Sequence, residues 1–324
     1  MPTGRWAKPS ELQTMDTLNP LASLRMGLSG VHAVAQPALL PALRPELLAL
    51  HDDHRRFDSF DEFQEQLPEL MRLGKHIEAA TTCMTLLGLF EPLTQRLVEP
   101  REIALAGSNV RESLEASGCL SRHRGLTRLL EHLGESPGSL NRKEVYMPEA
   151  ATAFAAWLRR LIPQRLTLSD FLQDAELSTA GDRCHQDLCA LSYAAGSFDL
   201  VICNEVFEHV YNLPKALEEI HRVLKPDGRL VATFPMAYGQ QDSVIKAEYV
   251  SDLKPVLSRG EPEYHGDPIR PTRGSLVYQI PGWDILDLAA TIGFRAVVIH
   301  LISSWKYGVL GADLPGVLVA DFQR

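Results

Sequence analysis

Residues 197–235 confine the fold more tightly than any other part of the chain. They read SFDLVIC, then LPKALEEIHRVLK, then GRLVATFP. The first run is almost continuously apolar, as a parallel strand buried on both faces requires. The second places its apolar residues on one helical face and meets Pro226-Asp227-Gly228, which stops a helix. The third is apolar again and ends at Pro235. From Lys143 onward the same texture recurs: EVYM, EAATAFAAWLRRLI and RLTLS, and later PGWDILDLAATIGF, RAVVIHLIS and GVLVADF. This alternation predicts an α/β fold built on a doubly wound, mostly parallel sheet.

The chain has 324 residues, a length that suits two domains. Residues 1–35 show weak periodicity. From Pro41 to about Leu97, apolar residues recur at three- and four-residue spacing. The expected division is a helical N-terminal region or cap over 1–108 and the α/β domain over 109–324, with an insertion at 236–281. The N-terminal helices are expected to cover a site, join two copies in a homodimer or bind a partner. A net charge of −9 speaks against a uniformly basic nucleic-acid-binding surface. The five cysteines form no CxxC pair, which supports neither a zinc ribbon nor a disulfide framework. Reduced thiols in a cytoplasmic protein are the simplest reading. No apolar leader and no run of 18 apolar residues occurs, so neither a signal peptide nor a membrane span is expected.

The stretch from His185 to Pro235 carries a more specific pattern. Asp187-Leu188 comes first, then Ser197-Phe198-Asp199, then Glu208-His209-Val210, then RVLKPDG over 222–228. In content and order this resembles the second half of the class I S-adenosylmethionine-dependent methyltransferases. The resemblance implies a Rossmann-like sheet of seven strands with the cofactor beyond the strands' carboxyl ends. It implies that Asp187 meets the adenine amino group, with the Leu188 backbone near the ring. Asp170 falls where the family places an acid on the ribose hydroxyls, and Phe171 follows it. Asn204 and Glu205 fall beside the transferable methyl, and Glu149 falls near the cofactor's amino-acid end. A first-turn role at a helix start is the plainer reading of Glu149.

One departure stands out. The family's first strand runs into a GxGxG turn, and this chain has no two glycines one residue apart; the place holds EVYMPEAAT over 144–152. A less common branch is similar here, with YxxExxT matched by Tyr146–Thr152 and a following strand matched by Ser169-Asp170-Phe171-Leu172. Arg111-Glu112-Ser113-Leu114, Cys119, Ser121-Arg122-His123-Arg124 and Tyr264-His265-Gly266-Asp267-Pro268 also fit that branch. Of its cysteine knuckle only Cys119 remains, so no zinc is expected there. The implied reaction is methyl transfer from S-adenosylmethionine to an oxygen or nitrogen of a small-molecule or glycan-like acceptor. The alternative is the same fold with another, metal-dependent chemistry or a non-catalytic partner role, since fold alone does not fix function.

Glu205-Val206-Phe207-Glu208-His209 is an ExxEH sequence. On a helix its three polar residues would share one face and, with His265, could hold a divalent cation. Small-RNA 2′-O-methyltransferases and ubiquinone-pathway O-methyltransferases resemble this arrangement. The same letters occur in methyltransferases without metal, where the carboxylate bonds backbone and the imidazole packs. His209, His265 and Glu205 form the candidate catalytic set, because an imidazole titrates near neutral pH. Asp267 could orient His265 or cap a turn. Arg122-His123-Arg124 reads either as a patch that neutralises an anionic substrate or as a solvated helix face.

Overall fold

The computed structural model describes residues 45–172, 184–250 and 256–324; the mixed segment 1–35 lies outside them. Seven strands form the central sheet: β1 (Asp53–Phe57), β2 (Val145–Met147), β3 (Leu166–Leu168), β4 (Phe198–Asn204), β5 (Leu224–Thr233), β6 (Val297–Ser303) and β7 (Val317–Gln323). Their order across the sheet is β1-β6-β7-β5-β4-β2-β3. β3, β2, β4 and β5 pair in parallel. β7 lies antiparallel between β5 and β6, and β1 lies antiparallel along β6. Five strands therefore run one way, with β7 and β1 opposed.

Side chains of β4 alternate between two cores, which is why its apolar run is unbroken. Val201 and Cys203 join Leu217, Ile220 and Trp283 on one face; Leu200 and Ile202 join Leu126, Phe154 and Leu158 on the other. The first face is covered by α1 (Phe60–Gly74), α5 (Leu213–Val223) and α6 (Asp284–Ile292), the second by α3 (Ser121–His132) and α4 (Ala153–Leu161), while α2 (Ile77–Leu87) packs in a third core with Trp305. On α5 the buried residues are Leu213, Ala216, Leu217, Ile220 and Val223, one helical stripe. Each buried leucine there is worth roughly 1.5–3 kcal/mol. Asn212 caps α5 by accepting from the Lys215 N–H at 3.1 Å. Gly293 ends α6 at φ 119°, a conformation that side chains oppose.

Two expectations change in detail. The count of seven is reached through β1, while among the described residues only one parallel bridge, Asp170 to His185, precedes Asp187. β1 arises inside the region expected to be a helical cap. Its Phe57 is fully buried, with ring centroids 5.1 Å from Phe63 of α1 and 6.3 Å from Trp283. The boundary at 108/109 likewise cuts a three-stranded ladder that joins Ile103–Leu105 to Leu114–Ala116 and Cys119–Leu120. The described N-terminal residues are thus built into the α/β unit. The helix α5 stops at Val223, and Pro226-Asp227-Gly228 forms a bulge within β5. Between β5 and α6, three two-residue ladders fold the insertion back on itself. Among the described residues no helix is long and apolar enough to cross a membrane.

Candidate functional site

The chain leaves β2 toward β3 in one direction and leaves β4 toward β5 in the other. The reversal lies between β2 and β4, and ligands of open α/β sheets bind at the carboxyl ends flanking such a point. Glu149, two residues beyond β2, spans it: its Oε2 accepts from the Asn204 N–H at 2.7 Å. The turn from β2 into α4 is pinned twice more. Asp170 Oδ1 accepts from the Ala151 N–H at 3.2 Å, and Thr152 caps α4 through the Ala155 N–H at 3.1 Å. Burial pushes the Glu149 carboxyl up to about 8, against the pull of the Asn204 N–H and the Arg122 charge. Asn204 is buried; its Oδ1 accepts from Thr233 Oγ1 at 3.1 Å, while its Nδ2 has no acceptor.

Further along the same edge, buried Asp170 follows β3, and its backbone exchanges bonds with Cys184 and Gln186. Phe171 is exposed, its ring 5.6 Å from that of His185, and its carbonyl accepts from Arg270 Nη2 at 2.9 Å. Asp187 accepts from the Cys189 N–H and from the Tyr211 hydroxyl, both at 2.8 Å. Leu188 is buried beside it.

The ExxEH residues do not share a helical face. Glu205 sits at φ 52°, and only Phe207–His209 form a single 3₁₀ turn. Glu205 turns to Arg111, a residue outside the candidate set, which grips it bidentately at 3.0 and 2.5 Å and also donates to the Phe234 carbonyl. Burial would raise the Glu205 carboxyl, but the Arg111 guanidinium outweighs it and holds the group below its usual range. The remaining three groups converge: Glu208, His209 and His265 bring potential ligand atoms within 4.8 Å of one another. Glu205 is not among them.

Within this trio, His209 Nδ1 lies 2.9 Å from the Leu276 carbonyl, so it carries the proton and leaves a lone pair on Nε2. Nε2 stands 3.7 Å from Glu208 Oε1, as does His265 Nδ1, too far for a hydrogen bond. Both Glu208 oxygens are fully buried without a donor. Burial raises the Glu208 carboxyl, and the facing Glu208 and Glu263 carboxylates raise the His265 imidazole. Asp267 holds the loop behind His265, accepting from the Ile269 N–H, Arg270 and Ser275. It serves the turn and does not bond to His265.

The Arg122–Arg124 run is not a solvated face. Arg124 is fully buried and donates to the carbonyls of Gly308, Cys119 and Leu114; His123 is buried beside it. Arg111 carried a faint sequence signal, as the first residue of the RESL run. Two cavities lie elsewhere: one of about 200 Å³ beside Asp199, Leu200 and Arg229 near the amino ends of β4 and β5, and one of about 120 Å³ beside Phe60 and Trp283. The carboxyl edge is spanned by the Glu149–Asn204 and Asp187–Tyr211 bonds.

Comparison with known proteins places a methyltransferase domain on residues 149–232, the segment that contributes Glu149, Asp170, Asp187, Asn204 and the ExxEH turn. No curated protein matches the chain. Among solved structures, it is similar to a 1,6-didemethyltoxoflavin-N1-methyltransferase of Burkholderia thailandensis solved with S-adenosylhomocysteine (16% identity, 63% of this chain and 78% of that one, TM-score 0.35). It is also similar to S-adenosylmethionine-dependent methyltransferases of Mesorhizobium loti (14%, 56% and 91%, 0.36) and Listeria monocytogenes, the latter described as putative (12%, 62% and 98%, 0.37). These superpositions are loose, and the domain assignment rests on the residues matched.

Proposed function

We propose that this chain, which carries a class I methyltransferase domain, moves a methyl group from S-adenosylmethionine to an oxygen or nitrogen of a small-molecule or glycan-like acceptor. The observation that carries the reading is the row of polar groups along the carboxyl edge at the β2/β4 reversal, within the matched residues: Glu149, Asp170, Asp187 and Asn204. The buried Asn204 Nδ2, which lacks an acceptor, fits a site completed by a ligand. The cofactor supplies an electrophilic methyl on a sulfonium. Asp170 would take the ribose hydroxyls. Asp187 would take the adenine amino group, since a carboxylate oxygen that already accepts one bond has a further lone pair. Leu188 would supply apolar contact for the ring and Phe171 the exposed rim. Glu149, neutral near pH 7 when alone, would lie toward the amino-acid end.

Beyond the methyl, His209 is the group to take the acceptor's proton, because its Nδ1–H is committed to Leu276 and Nε2 keeps its lone pair. His265, raised by Glu208 and Glu263, would orient the acceptor. Most of the acceleration would come from alignment of nucleophile, methyl carbon and sulfur. A second reading has its own support. A buried carboxylate without a donor beside an imidazole lone pair calls for positive charge. Glu208, His209 and His265 would fit a divalent cation, which would lower the acceptor hydroxyl's pKa. Titration calorimetry with S-adenosylmethionine tests the first reading: micromolar binding by the folded protein, weakened in Asp187→Ala, is expected, and no heat at millimolar cofactor would end it. Elemental analysis after dialysis tests the second, with loss of the ion in His265→Ala.

A further inference from the structure

The turn after β2 lacks the glycines that would let backbone amides receive an amino-acid carboxylate, yet the start of α3 offers donors beside it. His123 is 6% exposed, and its ring stacks on Phe154 in the first turn of α4, centroids 4.5 Å apart and planes at 11°. Its Nδ1 accepts from the Leu120 N–H at 3.0 Å. A backbone N–H can only donate, so in the neutral ring the proton sits on Nε2. That Nε2 lies 2.7 Å from Arg122 Nη1, which also can only donate. Two N–H groups therefore converge with no acceptor between them. Arg122 is held in place by Nε, which donates to Glu112 Oε2 at 2.8 Å. Glu112 in turn binds Arg111, the guanidinium that grips Glu205 at the end of β4. Among the described residues, Arg122 Nη2 has no protein acceptor, and the Arg122 side chain is 15% exposed. An arrangement with two meeting donors, a free guanidinium edge and a buried imidazole lacks one component, an anion with two acceptor oxygens.

We infer that Arg122 and His123 form a carboxylate clamp that receives the amino-acid end of the cofactor, in place of the glycine-rich turn. This rests on the proposed methyltransferase reading. It assigns recognition of the nucleoside to Asp170 and Asp187 and recognition of the methionine carboxylate to residues that precede the matched domain. It also fits the absence of the glycines: when side chains supply the donors, the turn does not have to bring its backbone close.

The test separates the two ends of the ligand. S-adenosylhomocysteine and 5′-methylthioadenosine share the thioadenosine, and only the first carries the amino acid. Calorimetric titrations of the full chain should show the first bound at least tenfold more tightly. Arg122→Gln should erase about tenfold of that preference or more while leaving 5′-methylthioadenosine affinity unchanged. Arg122→Lys should keep part of the preference. His123→Phe, which retains the stack on Phe154, should also lower affinity for the amino-acid ligand alone. A preference unchanged in Arg122→Gln, or equal weakening of both ligands, overturns the clamp. Wild-type protein that binds neither ligand sinks the methyltransferase reading itself, and the clamp with it.

Discussion

Replacing Glu149 by Gln should make stability less sensitive to alkali, by an amount set by its burial. In the folded protein this carboxyl is pushed up to about 8 from the ordinary 4.5. Below pH 4.5 both folded and unfolded chains hold the proton and the group contributes nothing pH-dependent. As pH rises, the unfolded chain ionises first, so the folded state binds more protons and stability falls until about pH 8. The span of about 3.5 units, at about 1.36 kcal/mol per unit, is roughly 4–5 kcal/mol. About 3 kcal/mol of it has accrued by pH 7. Gln keeps an oxygen for the Asn204 N–H and never ionises. Urea denaturation of both proteins from pH 5 to 9 reads the difference directly, since other groups largely cancel. The gap should widen with pH in favour of Glu149→Gln. A gap that is flat across this range would refute the burial argument.

Three further perturbations test other parts of the account. His209→Ala should lower the methyl-transfer rate about 10²-fold or more, with cofactor affinity retained in calorimetry. Arg111→Met strands the buried Glu205 charge and should cost about 3–5 kcal/mol by chemical denaturation; adding Glu205→Gln should recover much of it. Phe57→Ala should cost about 3–5 kcal/mol in a single transition seen by both fluorescence and circular dichroism. A separate early transition would mean that β1 is not integral to the sheet.

The central β-α-β unit was readable because every side chain of β4 but Asp199 is buried, and because α5 keeps its apolar residues on one stripe. β1 was not readable. Its DHRRF carries a single apolar residue, as an edge strand with one solvated face can. It follows the leucines of PELLALHD, whose spacing suits a helix. Its Arg55 and Arg56 have acids two residues away, Asp53 and Asp58, but what ties the strand into the sheet lies far off in sequence, such as His300, 2.8 Å from His54. The ExxEH turn misled for a different reason. Spacing predicts a shared face only if the backbone is helical, and Glu205 at φ 52° breaks that premise while presenting its carboxylate to Arg111. Arg122 and His123 looked like a solvated run because nothing local reveals that α3 lies with this end against α4. Glu149 and Asp170 could be placed at the carboxyl edge because each stands two residues past an apolar strand, whereas Asp187 was marked by the resemblance, with only an isolated bridge before it.

A crystal structure of the full chain grown with S-adenosylhomocysteine bears most directly on the whole picture. Electron density for the nucleoside should span the gap between β2 and β4, its ribose on Asp170 and its purine by Asp187, with the Glu149–Asn204 bond rearranged. Well-ordered protein at millimolar ligand with that gap still shut, or with the nucleoside lodged at the amino-end cavity beside Arg229, would contradict it.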